Sequence, residues 1–186
     1  MVGEDQASAD ASGSVVLHVL PTGGGILALS PLPGARGDYR GDLDHLSSFR
    51  PAFVISLVSH VELLEAGAKA LGQDIQDKGT RWVHLPIKRG EAPNANVEED
   101  WPRISTQVRK ALLGGGRVMI NSRYGRGRAG MVALRLMIEA GEAPDEAEER
   151  LEAVQGAAAR LEPWQRNWSL RAEREPVPFV RHAKSG

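Results

Sequence analysis

Residues 118–137 read VMINSRYGRGRAGMVALRLM, and this stretch decides the fold. Residues 117–121 (RVMIN) have the make-up of a strand, and residues 129–140 that of a helix ended by Gly141. Between them Gly125, Gly127 and Gly130 are interleaved with Arg123, Arg126 and Arg128. A strand that passes through such a loop into a helix aims backbone N–H groups and a helix N-terminus at one spot, which makes an anion site. The arginines add fixed positive charge, and a guanidinium fork holds two phosphate oxygens at once. The anion-binding loop is expected over residues 121–130.

Three known loops compete for this stretch. The Walker phosphate loop ends in lysine followed by serine or threonine, but Arg128 and Ala129 stand there, so nothing would hold magnesium. The dinucleotide fingerprint G-x-G-x-x-G is matched literally by Gly125, Gly127 and Gly130. It also requires a second strand ending in an acidic residue about 20 positions on, and residues 142–149 read instead as a helix start. The third candidate, a loop with a nucleophile and an arginine six positions later, fits Ser122 and Arg128.

Outward from the loop, strands are expected over residues 14–20, 26–29, 53–58 and 82–87, the run FVISLV suiting a strand buried on both faces. Helices are expected over residues 42–49, 61–71, 97–113, 144–154 and 164–170, with Pro102 near the true start of the long one, where proline is tolerated. Strands alternating with helices predict an α/β fold, a small and mostly parallel sheet with helices on both faces. Residues 1–14 are polar and small, and residues 173–186 basic and proline-containing; both read as irregular tails around one domain over residues 15–172.

Composition narrows the function classes. The 186 residues are 41% hydrophobic, enough for one domain with a substantial core. A formal charge of −1 gives no bulk attraction to nucleic acid, so any anion affinity must come from local clustering. There is no cysteine, which excludes disulfides and thiolate metal sites, and no His/Asp/Glu spacing predicts a metal. The N-terminus lacks the basic and apolar blocks of a secretory signal, and no apolar run approaches the ~20 residues of a membrane helix. The expectation is a cytoplasmic protein without cofactor.

Ser122-Arg123-Tyr124-Gly125-Arg126-Gly127-Arg128 resembles the His-Cys-x5-Arg loop of cysteine-dependent dual-specificity and tyrosine phosphatases. Weaker similarity lies in Ser30-Pro31-Leu32-Pro33-Gly34, Gly41-Asp42-Leu43, Leu85-Pro86-Ile87 and Glu162-Pro163-Trp164-Gln165 with Trp168, so it spans about residues 26–168. The resemblance implies that Arg128 clamps phosphoryl oxygens, that residues 122–128 bind phosphate, and that Gln165 lies near the site. It also exposes three departures. Ser122 stands at the nucleophile position, Asn121 where the family has histidine, and Arg89 where the family has its general-acid aspartate. A thiol can be held as a thiolate at a helix N-terminus, whereas a serine hydroxyl needs a general base. A guanidinium donates no proton, and Glu91, two residues on, is a poor substitute unless it reaches the leaving oxygen.

The chain therefore resembles a pseudophosphatase that keeps the fold and a phosphate-binding loop. A neutral Ser122 removes the thiolate's repulsion of a dianion. The expected partner is a phosphorylated protein or a small anionic ligand. Two other readings stay open: an active phosphatase present as an inactivated variant, and a protein-interaction scaffold that leaves the pocket unused. Plainer roles stand beside these. Ser122 could cap the next helix, Lys88 and Arg89 could be a solvated loop pair, and Gln165 a surface residue. His84 reads as a packed structural histidine, and Trp82, Trp101 and Trp164 as core or rim.

Overall fold

The computed structural model describes residues 15–173; the two expected tails lie outside the described residues, save Glu173. Five strands form one sheet: β1 (His18–Thr22), β2 (Gly25–Pro31), β3 (Phe53–Ser56), β4 (Arg81–His84) and β5 (Arg117–Ser122), in the order β1-β2-β5-β3-β4. The three pairs from β2 to β4 are parallel, and β1 joins β2 as an antiparallel edge hairpin. Its turn is Gly23-Gly24, both at positive φ, the geometry that tight hairpins demand.

Helices cover both faces. α1 (Tyr39–Ser48), α2 (His60–Glu65) and α3 (Leu71–Asp77) bury Leu43, Leu46, Leu63 and Ile75 against Val54 and Met119 on one side. α4 (Ala95–Leu113), α5 (Gly127–Glu139), α6 (Pro144–Gln155) and α7 (Pro163–Leu170) form the larger core on the other, with Val118 and Ile120. Along β5 alternate side chains thus enter opposite cores, which is why Val118, Met119 and Ile120 are all apolar. The α/β architecture expected from the sequence is the one observed.

Three local expectations are corrected. Residues 61–71 form not one helix but all of α2 after His60, a turn and the first residue of α3. Gly67 at φ +66 takes the chain out of the helix, and the N–H of Ala68 turns back to the carbonyl of Leu63. The strand expected over residues 82–87 has a regular ladder only to His84. Pro86 brings no N–H, yet Leu85 and Ile87 still donate to the carbonyls of Ser56 and Leu57. Pro102 lies inside α4, which starts seven residues earlier because the Asn94 side chain accepts from the N–H of Val97. The proline is exposed, so water can meet the carbonyl it leaves without a donor. Among the described residues, no helix is long and apolar enough to cross a membrane.

The parallel strands β2, β3, β4 and β5 all end on the same edge of the sheet. Open α/β sheets place ligands outside the carboxyl ends of their strands.

Candidate functional site

The loop between β5 and α5 is built at that edge. Gly125 sits at φ +70 with its backbone pressed on β2; a Cβ there would lie 2.6 Å from the carbonyl carbon of Ser30. The N–H of Leu32 donates to the Arg123 carbonyl at 3.4 Å, and the Gly125 N–H to the Ser122 carbonyl at 3.3 Å. From the far side, the Gln155 amide at the end of α6 donates to the Gly125 carbonyl at 2.8 Å. At the N-cap of α5 the Arg126 side chain makes no capping bond. The first N–H groups of that helix therefore open onto the loop without a capping side chain.

Arg128, in the first turn of α5, is 6% exposed. Its Nη1 and Nη2 donate to the two carboxylate oxygens of Glu62 at 2.8 and 2.6 Å, and Nη1 also donates to the Ile87 carbonyl at 2.8 Å. These contacts fix the end-on edge of the guanidinium. Among the described residues no acceptor meets the other edge, Nε with the second Nη2 hydrogen, which is as well shaped for two phosphate oxygens. Glu62 is in turn held by the Ser59 N–H at 2.8 Å, half of a capping box that starts α2. The Arg128 guanidinium pulls the Glu62 carboxyl down to about 2. Sequence reasoning missed Glu62. The Ser59-x-x-Glu62 spacing marks a helix start, but nothing in it names Arg128 as partner.

The loop opens into a cleft of about 350 Å³. Ser122, Arg123, Tyr124, Arg126, Gly127, Arg128, Arg89 and Gln165 all line it, with Arg160 and Trp164, which the sequence reading left outside the site. Gly125 is buried in the loop wall. Asn121 does not line the cleft. It is fully buried beneath it on β5, in register with Ser30 and Ser56, and its carboxamide has no protein partner. Lys88 and Glu91 are exposed and outside the lining. Gln165 is buried, and its carbonyl oxygen accepts from the Glu162 N–H at 3.0 Å as part of the capping box of α7.

The Ser122 hydroxyl donates only to the Arg126 carbonyl, at a long 3.4 Å. A carbonyl takes no proton, no histidine lines the cleft, and its one carboxylate, Glu162, is engaged in capping α7. Arg89 occupies a wall where an acid is expected, and it carries permanent charge. Guanidiniums and the start of α5 thus face one cleft, and the Ser122 hydroxyl has no base among its hydrogen-bond partners. Among the described residues no group of three His, Cys, Asp or Glu side chains could hold a metal ion. His84 is structural: its Nε2 meets the Val58 carbonyl at 2.6 Å, it stacks on Trp82, and burial lowers its pKa. Trp101 and Trp168 pack edge to face in the core.

No family model matches the sequence, and no curated protein matches it. Solved structures do match. A kinase-associated phosphatase whose catalytic cysteine is replaced by serine superposes with a TM-score of 0.74 at 22% identity, over 85% of this chain and 93% of that one. Human DUSP28 matches with a TM-score of 0.58 at 17% identity, over 87% and 97% of the two chains. The human tyrosine phosphatase-like serine/threonine/tyrosine-interacting protein gives 0.59 at 14% identity, over 82% and 93%. At these identities the likeness establishes the fold, that of the dual-specificity and tyrosine phosphatases, here carried by a chain without cysteine.

Proposed function

We propose that this phosphatase-fold chain binds a phosphorylated or other anionic ligand in the loop over residues 121–130 and does not hydrolyse it. One observation carries the reading. The buried Arg128 is pinned by Glu62 and Ile87 on one edge and lines the cleft with its other edge unmet, while Ser122 beside it has only a carbonyl for company. Binding to loop amides and a guanidinium needs no nucleophile. Turnover needs charge development at a group that is activated, and neither Ser122 nor Arg89 provides it. Residues 15–172 form the binding domain in this reading, and Asn121 and Gln165 support the loop from below and from the side.

Calorimetric titration with inorganic phosphate and with vanadate tests it. Arg128→Lys keeps a cation in place but gives up the bidentate edge, and is expected to weaken phosphate binding by about tenfold or more. If the unsubstituted protein binds neither anion, or if Arg128→Lys binds as tightly, the site is elsewhere and the reading fails.

A further inference from the structure

The cleft holds more cationic charge than a single phosphoryl group can use. Five arginines line it: Arg89, Arg123, Arg126, Arg128 and Arg160. Two have carboxylate partners, Arg128 with Glu62 and Arg123 with Glu65 at 3.1 Å. Among the described residues Arg89, Arg126 and Arg160 have none. The one carboxylate in the lining, Glu162, is engaged in capping α7. The three unpaired guanidiniums come from three separate places: the segment after β4, the N-cap of α5, and the segment between α6 and α7. Tyr124, exposed at the rim, gathers two more contacts. The guanidinium carbon of Arg89 lies 5.7 Å from its ring centroid and that of Arg123 5.9 Å, within cation–π range.

A phosphoryl group seated on the loop would be met by the first N–H groups of α5 and the open edge of Arg128. That leaves Arg89 and Arg160, from two other segments, without a carboxylate in salt-bridge contact among the described residues. Like charges gathered around one cleft repel, and an anion relieves that repulsion only where it can reach them. The cleft, at about 350 Å³, sits at the small end of ligand sites, roughly 300–1,000 Å³, so the carrier must be compact.

Resting on the proposed function, we infer that the cleft has a second anion subsite, formed by Arg89 and Arg160, and that the ligand carries at least two phosphoryl groups on a short carrier. The chemistry is shared by free small polyphosphates and by a multiply phosphorylated lipid headgroup.

Calorimetry with inorganic phosphate and pyrophosphate tests this. The unsubstituted protein is expected to bind pyrophosphate about tenfold or more tightly than phosphate, the affinity equivalent of one further charge-assisted contact. Arg89→Ala combined with Arg160→Ala is expected to bring that ratio below about threefold. Arg40→Ala, an exposed arginine on α1, keeps it and controls for non-specific charge. If pyrophosphate binds no more tightly than phosphate, or if the double variant keeps the ratio, the second subsite is overturned while the proposed function stands. If neither anion binds, both fall. Co-sedimentation with vesicles containing a bisphosphorylated inositol lipid then assigns the source. Vesicle binding abolished by the double variant identifies a headgroup, and pyrophosphate selectivity without vesicle binding identifies a free ligand.

Discussion

Held between Arg128 and Ser59, the Glu62 carboxylate starts a helix with one oxygen's hydrogen bonds and neutralises a buried guanidinium with both oxygens. Glu62→Gln separates the two tasks, because its amide oxygen can still accept from the Ser59 N–H while the counter-charge disappears. A buried cation left unpaired typically costs about 3–5 kcal/mol, and urea denaturation of the variant is expected to show a loss of about that size. Phosphate supplies the missing charge from the cleft side, so it should stabilise the variant more than the unsubstituted protein. The pH dependence follows from the carboxyl's position at about 2 against an ordinary 4.5. The folded value lies below the unfolded one, so this stabilisation is complete above about 4.5 and disappears as pH falls through about 2. That part of the acid limb should be missing in Glu62→Gln. An equal acid limb in both proteins would show that the pair contributes nothing to stability.

At the scale of elements, the sequence was readable where one chemical pattern had one structural solution. β5 and α5 are expected nearly in place because the apolar run Val118-Met119-Ile120, set between Gly116 and the glycine-spaced loop, has few alternatives. The misread segments had two. Residues 61–71 keep a helical apolar spacing across Gly67, and only the turn back from Ala68 to Leu63 shows that the helix has ended. Pro102 marks a helix start in most sequences, but here Asn94 takes that place and buried Trp101 anchors the helix interior by donating to Glu139. The loop was legible in its residues and not in its supports. Gln155, 30 positions away, and the close approach of Ser30 to Gly125 are products of tertiary packing. They make a sharp test. Gly125→Ala meets both a positive φ and a backbone contact at 2.6 Å, whereas Gly79→Ala meets only the positive φ, with nothing within 4 Å. Both should lose about 1–3 kcal/mol of stability at most through backbone strain. Only Gly125→Ala should also lose phosphate binding, because the loop has to leave β2. Retained phosphate affinity in a folded Gly125→Ala would mean that the loop's position on β2 is immaterial to the site.

For the molecule as a whole, the question is whether the scaffold supports phosphatase chemistry once a thiol and an acid stand in the cleft. Two of the three departures noted in the sequence, Ser122 and Arg89, line one cleft, while Asn121 is buried outside its lining. Ser122→Cys places a thiol before an α5 N-terminus that no side chain caps, an environment that favours thiolate. Arg89→Asp in that background removes a cation and supplies an acid, on a segment tied to the site by the bond from Arg128 to the Ile87 carbonyl. General-acid assistance typically contributes about 10²–10⁴-fold, and the gain should grow as the leaving group worsens. Turnover of a series of aryl phosphates measures it. The unsubstituted protein should be inert, Ser122→Cys slow, and the double variant faster by a factor that rises with leaving-group pKa. Arg89→Asp alone should gain nothing, because an acid without a nucleophile has no covalent step to assist; the two effects are therefore non-additive. Asn121→His should add a smaller increment, since its side chain reaches no cleft atom and can act only through β5 and the residues beside it. A folded double variant that binds phosphate yet stays inert would show that the walls of the cleft, and not the lost groups alone, have moved away from catalysis.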